Sequence, residues 1–288
     1  MDGIIIINKE KGWTSNDVVQ KVKSTFHEKV GHTGTLDPLA TGVLPILIGK
    51  GTLLSKYLIN HDKEYISTIK LGIKTSTGDS EGDILEEKQV FDEMLEEKNI
   101  SQVLDSFKGK IKQIPPMYSA IKVNGKKLYE YARQGKKVEL EPREVEIYSI
   151  NLISISKQTQ EITYKVNCSK GTYIRTLCED IANKLGTVGF MKELERTQVG
   201  DFKIEETSKI SEIENSDRFL NKHLLTIEKF FKDKEKILLQ DEQLKLFLNG
   251  VKINSSQKDE IYRIYNKDLC FIGTGLIQNG KLKRDIII

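Results

Sequence analysis

Apolar residues along this chain change their spacing repeatedly and in no regular order, which restricts the architectures it can build. Residues 4–7 are an unbroken run of isoleucine of strand length, after which Val18, Val19, Val22 and Phe26 recur at the three- and four-residue spacing of an amphipathic helix. Ser15 or Asn16 is the expected N-cap of that helix. Residues 43–48 resume as an apolar strand, and Leu53, Leu54, Tyr57 and Leu58 suggest a short helix. Tyr65, Ser67, Ile69 and Leu71 then alternate with Ile66, Thr68 and Lys70, as the two faces of a strand do. Phe91, Met94, Leu95, Val103, Leu104 and Phe107 predict helix through and beyond an acidic stretch. Further strands are expected at 118–123, 145–155 and 160–168, followed by a helix from near Gly171 with Ile174, Leu177, Ile181 and Leu185 on one stripe and Gly186 as its stop. Strands and helices mixed without a repeating βαβ rhythm point to an α+β fold on a central, mainly antiparallel sheet flanked by helices.

Near residues 232–236 the apolar period gives way to a charged stretch. Beyond it a short helix, capped by Asp241 and ending at Asn249 and Gly250, precedes short strand candidates at 261–265, 269–272 and 285–288. Two units are therefore expected, residues 1–235 and residues 236–288. The second is a small β module of about fifty residues, too small to bury a core unaided and so expected to lean on the first.

Composition narrows the class further. With 38% hydrophobic and 30% charged residues the chain has the profile of a soluble globular protein rather than a disordered one. It has no basic leader at its start and no apolar run near the ~20 residues of a membrane span, so the expectation is a cytoplasmic protein without a membrane partner. Cys168, Cys178 and Cys270 form no CxxC pair, which argues against a disulfide framework and a zinc site. Net charge is only +3, but it is unevenly spread. Residues 79–97 hold nine acidic side chains against Lys88 alone and would repel a polyanion. Residues 120–137 hold six basic side chains against Glu130 alone, with Tyr118, Tyr129 and Tyr131 in or beside the run, where a phosphate backbone would be welcome.

Several familiar signals fail on their spacing. Gly49-Lys50-Gly51-Thr52 lacks the Ser or Thr directly after lysine that a phosphate-binding loop requires, and Leu44 occupies a glycine position. Asp79, Glu81 and Asp83 imitate the start of a calcium loop, yet Ile84 stands where the sharp turn needs glycine and Val90 where the bidentate ligand belongs. The four histidines show no metal-binding pairing. What remains is the loop 31–42, Gly-His-Thr-Gly-Thr-Leu-Asp-Pro-Leu-Ala-Thr-Gly. Its glycines allow close approach of a ligand and Pro38 stiffens the chain after Asp37, so the loop can present one carboxylate rigidly. Taken alone, Asp37 would be read as a turn residue.

The whole string closely resembles the catalytic-aspartate motif of the TruB family of pseudouridine synthases, and the resemblance continues in order along nearly the entire chain. Residues 4–15 resemble the family's first motif, with one departure: Lys9 is followed by Glu10 where Lys-Pro is common, which leaves the local turn and the placement of Lys9 open. Lys63-Glu64-Tyr65 and residues 71–79 resemble its tyrosine-bearing strand and the turn after it. Residues 115–122 and 125–129 resemble the next blocks, residues 171–176 its arginine motif, and Leu194-Glu195-Arg196-Thr197 its leucine-arginine motif. Asn249-Gly250 and residues 271–275 resemble the PUA RNA-binding module.

The resemblance implies the pseudouridine synthase fold with a short PUA-like module, and isomerisation of uridine 55 in the T loop of tRNA. The reaction breaks the N1–C1′ bond and remakes the link through C5; it implies neither cofactor nor metal. Asp37 then matches the nucleophile or ribose-directed base, Tyr65 the aromatic that stacks on the flipped uracil and assists its deprotonation, and Arg175 the guanidinium that pairs with the aspartate. Leu194 matches an apolar wall of the pocket, Tyr173 a neighbouring support, and His32 a residue filling the gap left by the flipped nucleotide, with backbone capping as its competing role. Lys9 is implied as a substrate contact. Lys122, Lys126, Lys127 and Arg133 belong to a basic arm over the T stem-loop, the acidic 79–97 stretch facing away. A monomer without an obligatory protein partner is expected. Two other readings remain open from sequence: a guide-RNA-dependent synthase of the dyskerin type, and a non-catalytic RNA-binding or RNA-folding protein.

Overall fold

A single mixed sheet organises most of the chain. In spatial order its strands are Ser208–Lys209, Gly3–Lys9, Thr41–Ile48, Gly189–Val199, Lys63–Leu71, Glu161–Cys168, Arg143–Ser156 and Gly109–Gln113, with three short strands attached beside this path. The pairings are antiparallel apart from Gly3–Lys9 with Ser208–Lys209 and Thr41–Ile48 with Gly189–Val199. The architecture is thus the expected α+β one. The computed structural model describes residues 1–119, 121–136 and 138–288; Ala120, inside the strand expected at 118–123, and Lys137 of the basic run lie outside the described residues. Among the described residues no helix is long and apolar enough to cross a membrane.

One face of the sheet is covered by the helices Ser15–Phe26, Glu97–Asp105 and Ile174–Lys184, whose apolar stripes (Val18, Val22, Ile100, Leu104, Leu177, Ile181) meet Ile69, Ile162 and Met191 of the strands in a continuous core. Burying such stripes is what holds short helices of this kind in place. A second core forms on the other face from Ile4, Ile6, Leu47, Leu54, Leu58 and Phe231, and Ile286 of the C-terminal part belongs to it. Residues 236–287 form a separate five-stranded sheet with its own small core around Phe247, Tyr262, Ile264 and Ile277. It rests on the rest of the molecule as its size requires: Asp285 accepts from Tyr57 and pairs with Lys56.

The local outcomes differ from the sequence reading at several points, each with a physical cause. Thr14, not Ser15 or Asn16, caps the first helix; its hydroxyl accepts from the Asp17 N–H at 3.0 Å while the Asp17 carboxylate accepts from the Thr14 N–H at 2.8 Å. Ser15 is freed for a longer-range bond described below. Gln240 rather than Asp241 caps the C-terminal helix Asp241–Leu248, and the helix expected from Gly171 starts at Ile174. The acidic stretch carries only a 3-10 turn at Asp92–Leu95 before the α-helix begins at Glu97, and its first part is not helical because Ile84–Glu87 instead pairs with Ile73–Thr75, setting Glu86 opposite Lys74. Among the described residues of the strand expected at 118–123, only Lys122–Val123 pairs, with Lys126–Lys127 across a tight turn in which Asn124 (φ 50°) and Gly125 (φ 82°) both take left-handed backbone. The central strand Gly189–Val199 was not expected: Lys192, Glu193 and Glu195 interrupt its apolar alternation, and two register shifts against Lys63–Leu71 break the period of two.

Candidate active site

The Asp37 loop is fastened at both ends and along its middle. Leu36, Leu39 and Ala40 are buried on either side of Asp37, and the Ala40 N–H donates to the Asp37 carbonyl at 3.0 Å. Ser15 bridges to the loop, accepting from the Leu36 N–H at 2.8 Å and donating to the Leu36 carbonyl at 3.1 Å. The Gly12 N–H donates to the Pro38 carbonyl at 2.8 Å. Lys9 completes the clamp. It is fully buried, and its ammonium donates to the carbonyls of Glu10 (3.0 Å), Trp13 (2.7 Å) and Pro38 (3.3 Å). This corrects its reading as a substrate contact: Lys9 braces the turn that follows it, a turn made with Glu10 in place of proline, against the aspartate loop. Burial pushes its ammonium down to about 8, with Asp37 acting in the opposite sense.

Asp37 opens on a cavity of about 560 Å³ whose wall includes Tyr65, Tyr173, Arg175, Leu194 and Arg196. Its side chain is 34% exposed, whereas that of Arg175, in the first turn of Ile174–Lys184, is 7% exposed. The Arg175 Nε lies 3.2 Å from Asp37 Oδ2. The remaining guanidinium nitrogens bond the Thr77 carbonyl (3.2 Å) and the Tyr118 carbonyl (2.7 Å), and Nη1 lies 3.5 Å from Asp79 Oδ2. Every nitrogen of the fork is thereby engaged, which fixes the one aimed at Asp37. Burial raises the Asp37 carboxyl above the ordinary range, Arg175 opposes this, Asp79 adds to it and Lys9 subtracts.

Tyr65 and Leu194 are both largely buried in the cavity wall, and they come from the neighbouring strands Lys63–Leu71 and Gly189–Val199. Burial holds the Tyr65 phenol above its usual range, with Arg196 pulling it down. Tyr173 is held through its backbone, its N–H donating to Gln113 Oε1 at 3.0 Å. The lining also includes Lys63, Arg143 and Lys170, so cationic residues outnumber acidic ones around the cavity.

His32 is half-buried, its Nδ1 accepting from the Gly34 N–H at 3.3 Å, and Thr33 and Gly34 rather than His32 line the cavity; the backbone-capping role is the one its contacts display. Lys122, Lys126 and Arg133 are exposed on the hairpin and the helix Leu128–Arg133, and Lys127 and Arg133 both stand 5.4 Å from the Tyr129 ring centroid. This segment is rooted at the site, because Arg175 bonds the Tyr118 carbonyl. Asp79 corrects another expectation: it is buried against Arg175 rather than facing away with the acidic stretch. Asp79 and Arg196 lay inside motifs legible in the sequence, but their roles depend on neighbours remote along the chain.

Comparison with known proteins places this geometry. A family model described as "TruB family pseudouridylate synthase (N terminal domain)" matches residues 21–174. "tRNA pseudouridylate synthase B C-terminal domain" matches residues 175–232, and "Pseudouridine synthase II TruB, C-terminal" residues 236–284. Proteins named tRNA pseudouridine synthase B from Clostridium kluyveri and Francisella philomiragia are 42% and 43% identical to it; each comparison covers 98% of this chain, with 98% and 93% of the relative. Among solved structures, a chain of a Cbf5-Nop10-Gar1 complex superposes with a TM-score of 0.68 at 25% identity, over 99% of this chain and 83% of that one. A chain of an H/ACA RNP bound to a substrate RNA containing 2′-deoxyuridine shares the fold, with a TM-score of 0.69 at 22% identity over 99% of this chain and 85% of that one.

Proposed function

Because the chain belongs to the TruB family of pseudouridylate synthases, we propose that it converts uridine in tRNA to pseudouridine, at position 55 of the T loop. The observation that carries this reading is the Asp37 carboxylate, opened to a concave site and aligned by Arg175 at 3.2 Å. A uridine stacked in a folded loop cannot enter such a site, so it must be turned out of its stack. Once it is enclosed, the N1–C1′ bond breaks, C5 bonds to C1′, C5 gives up its proton and N1 gains one. The product is an isomer and nothing is consumed. Asp37 supplies the charge next to the ribose, as nucleophile at C1′ or as base, and Arg175 keeps it in line. Tyr65 lays an aromatic face along the uracil and Leu194 closes the apolar side. The basic hairpin and helix at 122–133 hold the phosphates of the stem-loop.

Purified protein should release tritium from C5-labelled uridine in an unmodified tRNA transcript. Asp37→Asn should abolish that release while RNA affinity stays within about threefold, since shape recognition does not depend on the nucleophile. Turnover by the variant would remove Asp37 from its role. Likeness to the Cbf5 chain favours a second reading, a guide-dependent synthase, and the same assay separates the two. A guide-dependent enzyme would be silent on a transcript supplied without guide RNA or protein partners.

A further inference from the structure

Arg196 is 2% exposed, and among the described residues it pairs with no carboxylate. Its Nε donates to the Val43 carbonyl at 2.8 Å and its Nη2 to the Gly34 carbonyl at 3.1 Å. The groups around it that feel its charge include Lys9, His32 and Lys63, each made harder to protonate by its presence. A buried cation among other cations, compensated only by carbonyl dipoles, is a costly arrangement. Its charge favours the ionised form of the Tyr65 phenol. The two residues face each other directly across adjacent antiparallel strands, so both side chains project from the same face of the sheet into the wall of the cavity.

We propose that Arg196 is a positioning residue for the last step of the isomerisation: it fixes the Tyr65 hydroxyl over the uracil and stabilises it as the phenolate that takes the C5 proton. The inference rests on the reaction proposed above. Tyr65 first yields its own proton to solvent. The uracil is by then joined to C1′ through C5, with a double bond between N1 and C6. The phenolate oxygen takes the proton from C5, the C5–H electron pair becomes the C5=C6 bond, and the N1=C6 pair moves to N1, which takes a proton from water. Tyr65 is left as the phenol it was at the outset. Among the described groups that act on Tyr65, Arg196 from the neighbouring strand favours the phenolate, whereas burial, Cys168 from the strand on its other side and Asp37 from the loop oppose it. The positive charge in the wall thus has an anion to meet only while the proton is moving.

The test compares single-turnover rates on tRNA transcripts carrying 5-protio or 5-deuterio uridine for the wild type, Arg196→Met, Arg196→Lys and Tyr65→Phe. Arg196→Met should slow the step by about 10²-fold, raise the protio/deuterio rate ratio above that of the wild type, and leave RNA affinity within about threefold. Tyr65→Phe added to it should cost nothing more. Arg196→Lys, which keeps the charge, should recover most of the wild-type isotope ratio, and it decides the matter if the methionine variant fails to fold. Unchanged isotope ratios with additive losses would overturn the proposal and make Arg196 a carbonyl anchor for the aspartate loop. Weaker RNA binding with a shallower salt slope would overturn it in favour of a phosphate contact. If the wild type itself releases no C5 tritium, the reaction reading fails; if it does and the ratios do not move, only the role of Arg196 fails.

Discussion

Burial lifts the Asp37 carboxyl above its ordinary value of 3.8, and Arg175 pulls it back. The working form is the carboxylate, so activity should fall as pH drops through this raised pKa, and the acid limb of the single-turnover rate should lie above 3.8. Arg175→Gln removes an influence that favours ionisation, so the limb should move to higher pH. A limb that stayed in place would show that Asp37 does not feel the guanidinium. At this scale the sequence was informative about identity and poor about role. Asp37, Tyr65, Arg175 and Leu194 line one cavity, whereas Lys9 and Asp79 bind partners that spacing along the chain cannot reveal. Lys9 reaches a carbonyl 29 residues away, and such contacts exist only after the loops have met.

Among the elements, the approach of Thr41–Ile48 to Gly189–Val199 illustrates how narrowly backbone geometry constrains the site. A Cβ on Gly42 would lie 2.2 Å from the Arg196 carbonyl oxygen and 2.8 Å from its nitrogen, on a backbone with φ of 105°. Gly42→Ala should therefore destabilise the fold by about 2–4 kcal/mol, read as a lower urea midpoint, and should loosen the Arg196 strand. A midpoint unchanged from wild type would mean the two strands separate without cost. The hairpin at 122–127 follows different rules, since its lysines contribute charge rather than packing. Lys122→Ala and Lys126→Ala should each lower the slope of log affinity against log salt by ~0.7 to 0.9, with the single-turnover rate at saturation unchanged. A fall in rate without a change in slope would place these lysines in the chemistry instead. Strand and helix types were legible where apolar residues keep a clean period. The reading failed at Ile84–Glu87 and Gly189–Val199, where cross-strand pairing overrode the local pattern.

Over the whole molecule, we propose that residues 1–235 carry the chemistry and residues 236–288 add grip on tRNA outside the T loop. The two share apolar core through Ile286, so deleting the C-terminal part should expose Leu54, Leu58 and Phe231 and reduce solubility. The cleaner test keeps the chain intact: Lys252→Ala with Lys281→Ala should weaken binding to whole tRNA and flatten its salt dependence, yet leave an isolated T stem-loop turning over as before. Equal affinity for whole tRNA would make the C-terminal sheet a structural buttress. By itself the sequence determined the α+β class, the order of most elements and the aspartate loop, because these depend on short-range periodicity and on glycine and proline within a dozen residues. Tertiary structure alone decided which further groups meet. Arg175 and Asp79, and Tyr65 and Arg196, are brought together by the assembled sheet and the loops it carries, and strand order is set by burying both faces of the sheet at once, a condition no local stretch of sequence contains.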